Sequence, residues 1–123
     1  MDSLSGGAGM FIYSDRYFVD IGAHVFRVDK YLKLYQTLVE EKVPPAMFLT
    51  PEPLTVEQVR CVHTEEYIED LLEARYTYRT LRSEMPISRE IVQGFFLNGG
   101  GTLLAARKAL ETGWALNIGG GFH

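Results

Sequence analysis

The sequence has very little cysteine, no long apolar run and no surplus of basic residues. Its single cysteine, Cys61, excludes an intramolecular disulfide and a CxxC metal site. No apolar stretch approaches the roughly 20 residues that a membrane-spanning helix needs. Twelve Lys and Arg residues stand against 16 Asp and Glu residues, so the net charge is -4 and the whole chain has no electrostatic attraction for nucleic acid. These absences favour a cytoplasmic protein without membrane or nucleic-acid partners.

The composition is that of a folded globular chain. Hydrophobic residues make up 46% and charged residues 23% of the 123 positions. Residues 1–9 are small and lack the basic start and apolar core of a signal peptide, so we interpret them as a leader or flexible arm. Residues 10–123 form the predicted folded part. Because a buried strand and a glycine triplet stand just before its last residues, Phe122 and His123, we expect this part to be truncated within a larger domain.

Strand-like and helix-like segments alternate along the chain. Strands are predicted at residues 10–13, 46–49 and 114–118, and helices at 28–42, from 56 onward, and from 65 to about 81. Thr55, Thr64 and Ser88 have the side chains that cap helix starts. Helical patterns also lie on both sides of the Asn98–Gly101 segment, and Gly113 suits a helix end. The alternation predicts an α/β fold with a parallel sheet.

The histidines are the main candidates for chemistry. His24 lies in a loop, where a lone histidine is more often structural than catalytic. His63 is close to Cys61, but residues two apart rarely face each other on a helix, which disfavours a thiol–imidazole pair. His123 comes just after a predicted buried strand. Open α/β sheets place ligands and catalytic groups at that edge, so His123 is the strongest candidate.

Two glycine clusters and an arginine series allow alternative interpretations. Residues 98–102 would open a helix that could hold an anion, but they lack the spacing of known phosphate loops, and close helix packing explains the glycines as well. Residues 119–121 would let the chain turn tightly and direct Phe122 and His123 into a cleft. Arg75, Arg79 and Arg82 have helical spacing, which fits either a phosphate-binding stripe or a solvated face.

Several segments together resemble the histone deacetylase superfamily. The segment GWALNIGGGFH at residues 113–123 is similar to the region before the family's His-His pair, in the form found in class IV members and bacterial relatives. The segment HTEEYI at residues 63–68 resembles a helix start of the family, and residues 99–106 resemble its GG-[ST] helix. His24 matches a His-Pro loop, with Val25 in place of the proline and Lys30 at the basic position. The resemblance covers residues 10–123.

The resemblance implies the N-terminal portion of an arginase-like or deacetylase-like three-layer fold and a zinc-dependent deacylase. Such an enzyme cleaves an acyl group from an amine, as in acetyl-lysine or an acetylated polyamine. In the family, the zinc ligands, two aspartates and a histidine, follow the His-His pair. The zinc ligands and the second histidine of that pair are therefore absent from this chain, which we expect to be inactive alone. The implied catalytic residue is His123, and the implied substrate-pocket or cavity residues are Phe122, Gly120, Gly121, Lys30 and His24.

Other functions remain open on the sequence. The chain could be a non-catalytic α/β binding domain or a small anion-binding domain that shares these elements. In the deacylase interpretation, sheet edges and apolar patches that a larger domain would cover lead us to expect self-association of the isolated chain.

Overall fold

A three-stranded parallel sheet forms the centre of the described part of the chain, which in this computed structural model comprises residues 9–21 and 29–120. Strand β1 (Met10–Ile12) lies between β2 (Phe48–Leu49) and β3 (Ala115–Asn117). In register, Phe11 lies opposite Phe48 in β2 and opposite Leu116 in β3. The sheet and its flanking helices confirm the predicted α/β fold with parallel strands.

Four α-helices accompany the strands within the described ranges: α1 (Lys30–Glu40), α2 (Val56–Arg60), α3 (Glu65–Leu72) and α4 (Arg89–Thr112). Short 3-10 helices lie at Asp15–Tyr17, Pro45–Met47 and Thr80–Ser83. None of the helices in the described ranges is long and apolar enough to cross a membrane.

The predicted helix starts are confirmed at the three capping residues. The Thr55 hydroxyl accepts a hydrogen bond from the Gln58 amide at 3.1 Å, and the Gln58 side chain accepts one from the Thr55 amide at 2.8 Å. This reciprocal pair is a capping box. Thr64 and Ser88 each accept from the amide three residues further on. Each hydroxyl thus satisfies a donor that the first turn of a helix leaves unpaired.

Helix α1 and strand β2 are shorter than predicted. Helix α1 ends at Glu40 rather than at residue 42, because Lys42 has a φ of 69° and the Val43 amide closes the turn by donating to the Leu38 carbonyl at 3.1 Å. The predicted strand at 46–49 begins only at residue 48. The prolines start the Pro45–Met47 turn instead, and its last residue donates its amide to the Pro44 carbonyl.

Helix α3 ends at Leu72, so the prediction that it continues to about residue 81 is wrong. Ala74 has a φ of 53°, and the Arg75 amide donates to the Asp70 carbonyl at 2.8 Å. A left-handed residue followed by such a bond is a helix C-terminal turn. The apolar and charged pattern continues past this point, but the backbone leaves the helix.

One apolar cluster joins the sheet to helices α1 and α4. The Tyr13 ring stacks on Tyr35 of α1 at a centroid distance of 4.1 Å, and Tyr35 also contacts Phe48 of β2. The buried members of this cluster are Phe11, Tyr13, Tyr17, Tyr31, Met47, Leu97 and Ile118. Helix α4 packs along β1 and β3 and supplies Leu97 to the same cluster. Burial of these aromatic rings and of their aliphatic neighbours stabilises the described fold.

The strand order places a topological switch beside β1. The chain passes from β1 to its neighbour β2 and then crosses back to β3 on the other side of β1. Open parallel sheets with this order bind ligands outside the carboxyl ends of the two strands at the switch. That position lies between the end of β1 and the end of β3, directly before residues 118–123.

Candidate functional site

The Asn117 side chain is the centre of the polar network at the end of β3. Its Oδ1 accepts hydrogen bonds from the Tyr17 hydroxyl at 2.6 Å and from the Gly119 amide at 3.1 Å. Its Nδ2 donates to the Asn98 carbonyl at 3.0 Å and to the Thr102 hydroxyl at 3.1 Å. The amide thereby uses all of its ordinary donor and acceptor positions. Asn117 fastens the loop after β1, helix α4 and the turn after β3 to one another.

Tyr17 connects the loop after β1 to this network. Its side chain is fully buried, and burial raises the pKa of its phenol well above the usual value. Tyr17 therefore remains a neutral hydrogen-bond donor to Asn117. A Cβ placed on Gly119 would overlap the Tyr17 ring, and a Cβ placed on Gly101 would overlap its hydroxyl. The phenol thus lies against the backbone at Gly101 and Gly119, where the side chain of any other residue would overlap it.

The turn that follows β3 is held by its own backbone as well as by Asn117. The Gly120 amide donates to the Asn117 carbonyl at 3.1 Å, and the Ile118 amide donates to the Ile12 carbonyl at 2.9 Å. Ile118 and Gly119 are buried, and Gly120 is half-buried. The described chain therefore leaves the sheet at the switch point in a defined direction.

The glycines at 99–101 lie inside α4 and do not open a helix. Helix α4 runs without interruption from Arg89 to Thr112, so the amides of these glycines lie within its hydrogen-bonded interior. The interpretation of residues 98–102 as an anion-binding helix start is therefore wrong. A Cβ on Gly100 would overlap the Glu52 carbonyl, which confirms the alternative that glycine permits close helix packing.

Tyr13 and Asp15 line the loop after β1. The Tyr13 hydroxyl donates to Asp15 Oδ1 at 3.0 Å. Burial, which has the larger effect, and this bond to a carboxylate raise the pKa of Tyr13 to about 12. The phenol is therefore protonated at neutral pH and serves as a donor, not as a base.

The implied site residues fall partly outside the described chain. Lys30 is an exposed residue at the start of α1, and its Nζ lies 5.8 Å from the centroid of the Tyr31 ring. Gly120 lies in the turn after β3. His24, Gly121, Phe122 and His123 lie outside the described residues, and their assigned roles stay predictions.

Cys61 and His63 lie on the surface at the end of α2 and do not form a pair. The Cys61 thiol donates to the Glu57 carbonyl at 3.7 Å, whereas the His63 ring lies 4.9 Å from the Tyr67 ring. Both residues are exposed. The thiol therefore bonds to the backbone of its own helix and not to His63.

The three arginines do not share a helical face, which corrects that prediction. Arg79 Nε donates to the buried Asp70 carboxylate at 2.7 Å, and Arg75 Nε lies 3.5 Å from the other oxygen of Asp70. The Thr77 hydroxyl also donates to Asp70, at 2.7 Å. These bonds hold the pKa of Asp70 below its usual value, and the hydrogen bond from Arg79 has the largest effect. Arg82 lies apart, in the 3-10 helix before α4.

The described residues do not supply a metal centre. Within residues 9–21 and 29–120, no group of three or more His, Cys, Asp or Glu side chains could hold a metal ion. This part of the chain therefore does not supply the set of donors that zinc needs.

Sequence reasoning missed Asn117, Tyr17 and Asp70 as positioning residues. Asn117 stands in an apolar strand, where a polar amide needs partners, and this was the signal that could have singled it out. Asp70 stands among the apolar positions of α3, which is a similar signal. No pattern near Tyr17 in the sequence marks it as a positioning residue, because its partner Asn117 lies 100 positions away.

The sequence of the chain matches a known protein family. The family model of the histone deacetylase domain matches residues 24–123. Histone deacetylase 2 of Arabidopsis thaliana is 35% identical over 82 residues, which cover 58% of this chain and 21% of that protein. An uncharacterized protein of Picosynechococcus sp. is 31% identical over 102 residues, which cover 81% of this chain and 34% of that protein. The chain thus matches between about a fifth and a third of these relatives' length, and with most of its residues matched by the domain model it belongs to the histone deacetylase family.

Proposed function

We propose that this chain is the N-terminal part of a deacylase that hydrolyses an acyl–amine bond of the acetyl-lysine or acetylpolyamine type. The proposal is supported by membership of the histone deacetylase family and by the turn after β3. That turn is anchored by Asn117 at the topological switch and leads directly to Phe122 and His123 in the sequence. This anchored turn is the structural feature that most supports the proposal.

His123 has the side chain that the reaction requires. Amide hydrolysis needs a base that takes a proton from the attacking water and an acid that protonates the leaving amine. An imidazole can exchange a proton near neutral pH, which few other side chains do without help. In our proposal, His123 accepts a hydrogen bond from the attacking water at one ring nitrogen and orients that water. Phe122, Gly120 and Gly121 form the adjoining wall of the acyl pocket, and His24 and Lys30 line a cavity next to it.

The whole protein is proposed to use zinc, with ligands outside this chain, and to act in the cytoplasm. The use of zinc is supported by the resemblance of the sequence to the histone deacetylase family. The location is supported by the single exposed cysteine and the acidic composition. The acyl group and the amine are not identified. The chain alone lacks the residues that hold the metal in this proposal, so the isolated chain is expected to bind no stoichiometric zinc and to be inactive.

The test replaces His123 by alanine in the whole protein and measures hydrolysis of an acetyl-lysine peptide and of acetylated polyamines. We expect kcat/KM to fall by roughly 10²–10³-fold, the usual effect of losing an acid–base or electrostatic partner. Zinc content and the unfolding midpoint should stay unchanged, because His123 is not a proposed ligand. Cys61→Ser, an exposed substitution outside the site, is the matched control and should keep full activity.

Two results would contradict the proposal. Near-wild-type kcat/KM in the His123→Ala protein would make this histidine structural, and loss of zinc in the same variant would make it a ligand. Hydrolysis by the isolated 123-residue chain would show that the domain assignment is wrong.

A further inference from the structure

The loop before α4 lies above the end of the sheet at which the switch point is found. Helix α4 ends just before β3 begins, and in its middle Asn98 and Gly101 lie against Asn117 at the other end of β3. Arg89, the first residue of α4, precedes Asn98 by nine residues, so at 1.5 Å per residue the helix extends about 14 Å beyond this contact. The loop of residues 84–88, the rim loop, is therefore held beyond the carboxyl edge, where open parallel sheets bind their ligands.

The rim loop packs against the loop that follows β1. Its residue Met85 is buried in a cluster with Ile21 and Ile91. Val19 packs against the same cluster and lies so close to Gly94 that a Cβ placed there would be 3.1 Å from the Val19 side chain. Because the loop after β1 starts at the carboxyl edge of the sheet, the two loops together form one wall beside the switch point.

A tyrosine from a separate turn fixes the rim loop. The Tyr76 hydroxyl accepts a hydrogen bond from the Ile87 amide at 2.8 Å. The Ile87 side chain is buried with Leu71 and Val92, so both the amide and the side chain of this residue are held. Tyr76 itself is 59% exposed, so its ring adds little to the core. The bond from its hydroxyl to the rim loop is therefore the main contact by which Tyr76 could affect a substrate.

The backbone of the rim loop has unused acceptors. Among the residues that the structure describes, no donor reaches the main-chain carbonyls of residues 85–87. The side chains of Met85 and Ile87 are buried, so the loop presents its backbone rather than these side chains. Main-chain carbonyls can accept hydrogen bonds from the amides of an extended peptide. The polypeptide on either side of an acylated lysine supplies such amides.

We propose that Tyr76 is a positioning residue for substrate recognition, because its hydroxyl holds the rim loop where the loop binds the polypeptide around an acylated lysine. The inference rests on the proposed deacylase activity and extends it by naming a polypeptide as the substrate. Tyr76 contacts neither the acyl group nor the reacting atoms. Its loss therefore weakens substrate binding and leaves the chemical step intact.

The test compares Tyr76→Phe with the wild type in the whole protein, on an acetyl-lysine peptide and on free Nε-acetyl-lysine. The KM for the peptide should rise by about two- to tenfold, the effect of one hydrogen bond, while kcat stays unchanged. Both constants for free Nε-acetyl-lysine should stay unchanged, because this substrate has no neighbouring residues that reach the rim loop. Hydrogen exchange at the Ile87 amide should become faster.

Tyr78→Phe is the matched control. Tyr78 lies two residues further along the same turn, but its hydroxyl accepts a hydrogen bond from the Arg79 side chain at 2.8 Å and not from the rim loop. This variant should leave the peptide KM and the exchange of the Ile87 amide unchanged. Circular dichroism confirms that both variants are folded.

Several results would overturn the inference. Unchanged exchange at Ile87 in Tyr76→Phe would show that the hydroxyl does not hold the loop, and faster exchange with an unchanged peptide KM would show that the loop does not bind the substrate. An equal loss of kcat on both substrates would make Tyr76 a general structural residue. Wild-type activity on free Nε-acetyl-lysine or acetylated polyamines but not on the peptide would overturn the inference and keep the proposed function. A wild-type protein without activity on any of these substrates would reject both.

Discussion

At the scale of single residues, the described site depends on one fully bonded amide. Asn117 makes four hydrogen bonds to three separate parts of the chain. Its loss and the loss of its partner Tyr17 therefore have different consequences. Removal of Asn117 leaves buried donors and acceptors without partners, whereas removal of the Tyr17 hydroxyl deletes one donor and leaves the amide otherwise bonded.

Tyr17→Phe should lower the free energy of unfolding by about 0.5–1.5 kcal/mol, the net contribution of one hydrogen bond. Asn117→Ala should cost more, about 1–3 kcal/mol for the groups it leaves unsatisfied. Urea unfolding of the two variants and of the double variant measures both effects. Because the two residues share a bond, the double variant should lose less than the sum of the single losses. Additive losses would show that the bond is not formed.

The residue scale also shows where sequence reasoning stops. The end of β3 was predicted as a site because a strand, glycines and a histidine follow one another locally. The bond between Tyr17 and Asn117 joins residues 100 positions apart, and no local pattern specifies such a pair. Asp70 was missed for a related reason, since its partners Thr77 and Arg79 lie on a turn that was predicted as helix.

At the scale of elements, local signals predicted helix starts better than helix ends. Thr55, Thr64 and Ser88 cap their helices through neighbouring amides, so the sequence contains the whole interaction. The end of α3 depends on the Asp70 cluster that binds the following turn, which is a tertiary arrangement. Residues 98–102 were predicted either to open a helix or to permit close helix packing, and the close approach of Gly100 to Glu52 explains glycine inside α4.

Gly100→Ala should destabilise the protein although alanine is the better helix former. The propensity gain is about 1 kcal/mol, but the added methyl group would overlap the main-chain carbonyl of Glu52, and overpacking costs about 1–3 kcal/mol or more. Gly99→Ala is the control, because its methyl group would meet the movable end of the Leu54 side chain. Thermal unfolding should therefore show a lower midpoint for Gly100→Ala than for Gly99→Ala. Equal midpoints would contradict the close approach at Gly100.

The turn after α3 should respond to acid through Asp70. The pKa of this carboxyl is lower in the folded state than its unfolded value of about 3.9, so its charge stabilises the fold above that pH. This stabilisation is lost as the pH falls through the lower folded pKa. Thermal midpoints measured from neutral to acidic pH should fall more steeply for the wild type than for Asp70→Asn. Parallel curves would show that Asp70 is not ionised in the pairs with Arg79 and Arg75.

At the scale of the whole molecule, the described sheet has two edges and several exposed apolar side chains. Strands β2 and β3 are its outer strands, and Leu116 of β3 is 42% exposed. Unpaired strand edges that carry apolar side chains promote association with a second chain. The isolated chain is therefore expected to form dimers or larger species in solution.

Light scattering of the isolated chain tests this expectation. Leu116→Lys adds a charge to β3 and should shift the chain towards monomer, whereas Leu110→Lys, at an exposed site on α4, should not. A monomeric wild-type chain at high concentration would reject self-association through the sheet.

The pairing of β1 with β3 also determines when the protein can fold during its synthesis. Met10 lies opposite Ala115, so β1 acquires its neighbour β3 only after about 100 further residues have been made. Translation at about 5–20 residues per second puts roughly 5–20 s between the two strands. Once β2 has been made, β1 has a partner on one side, and its other edge stays open until β3 follows. Molecular chaperones that shield apolar strands would act in this window, and pauses in translation before residue 115 would prolong it.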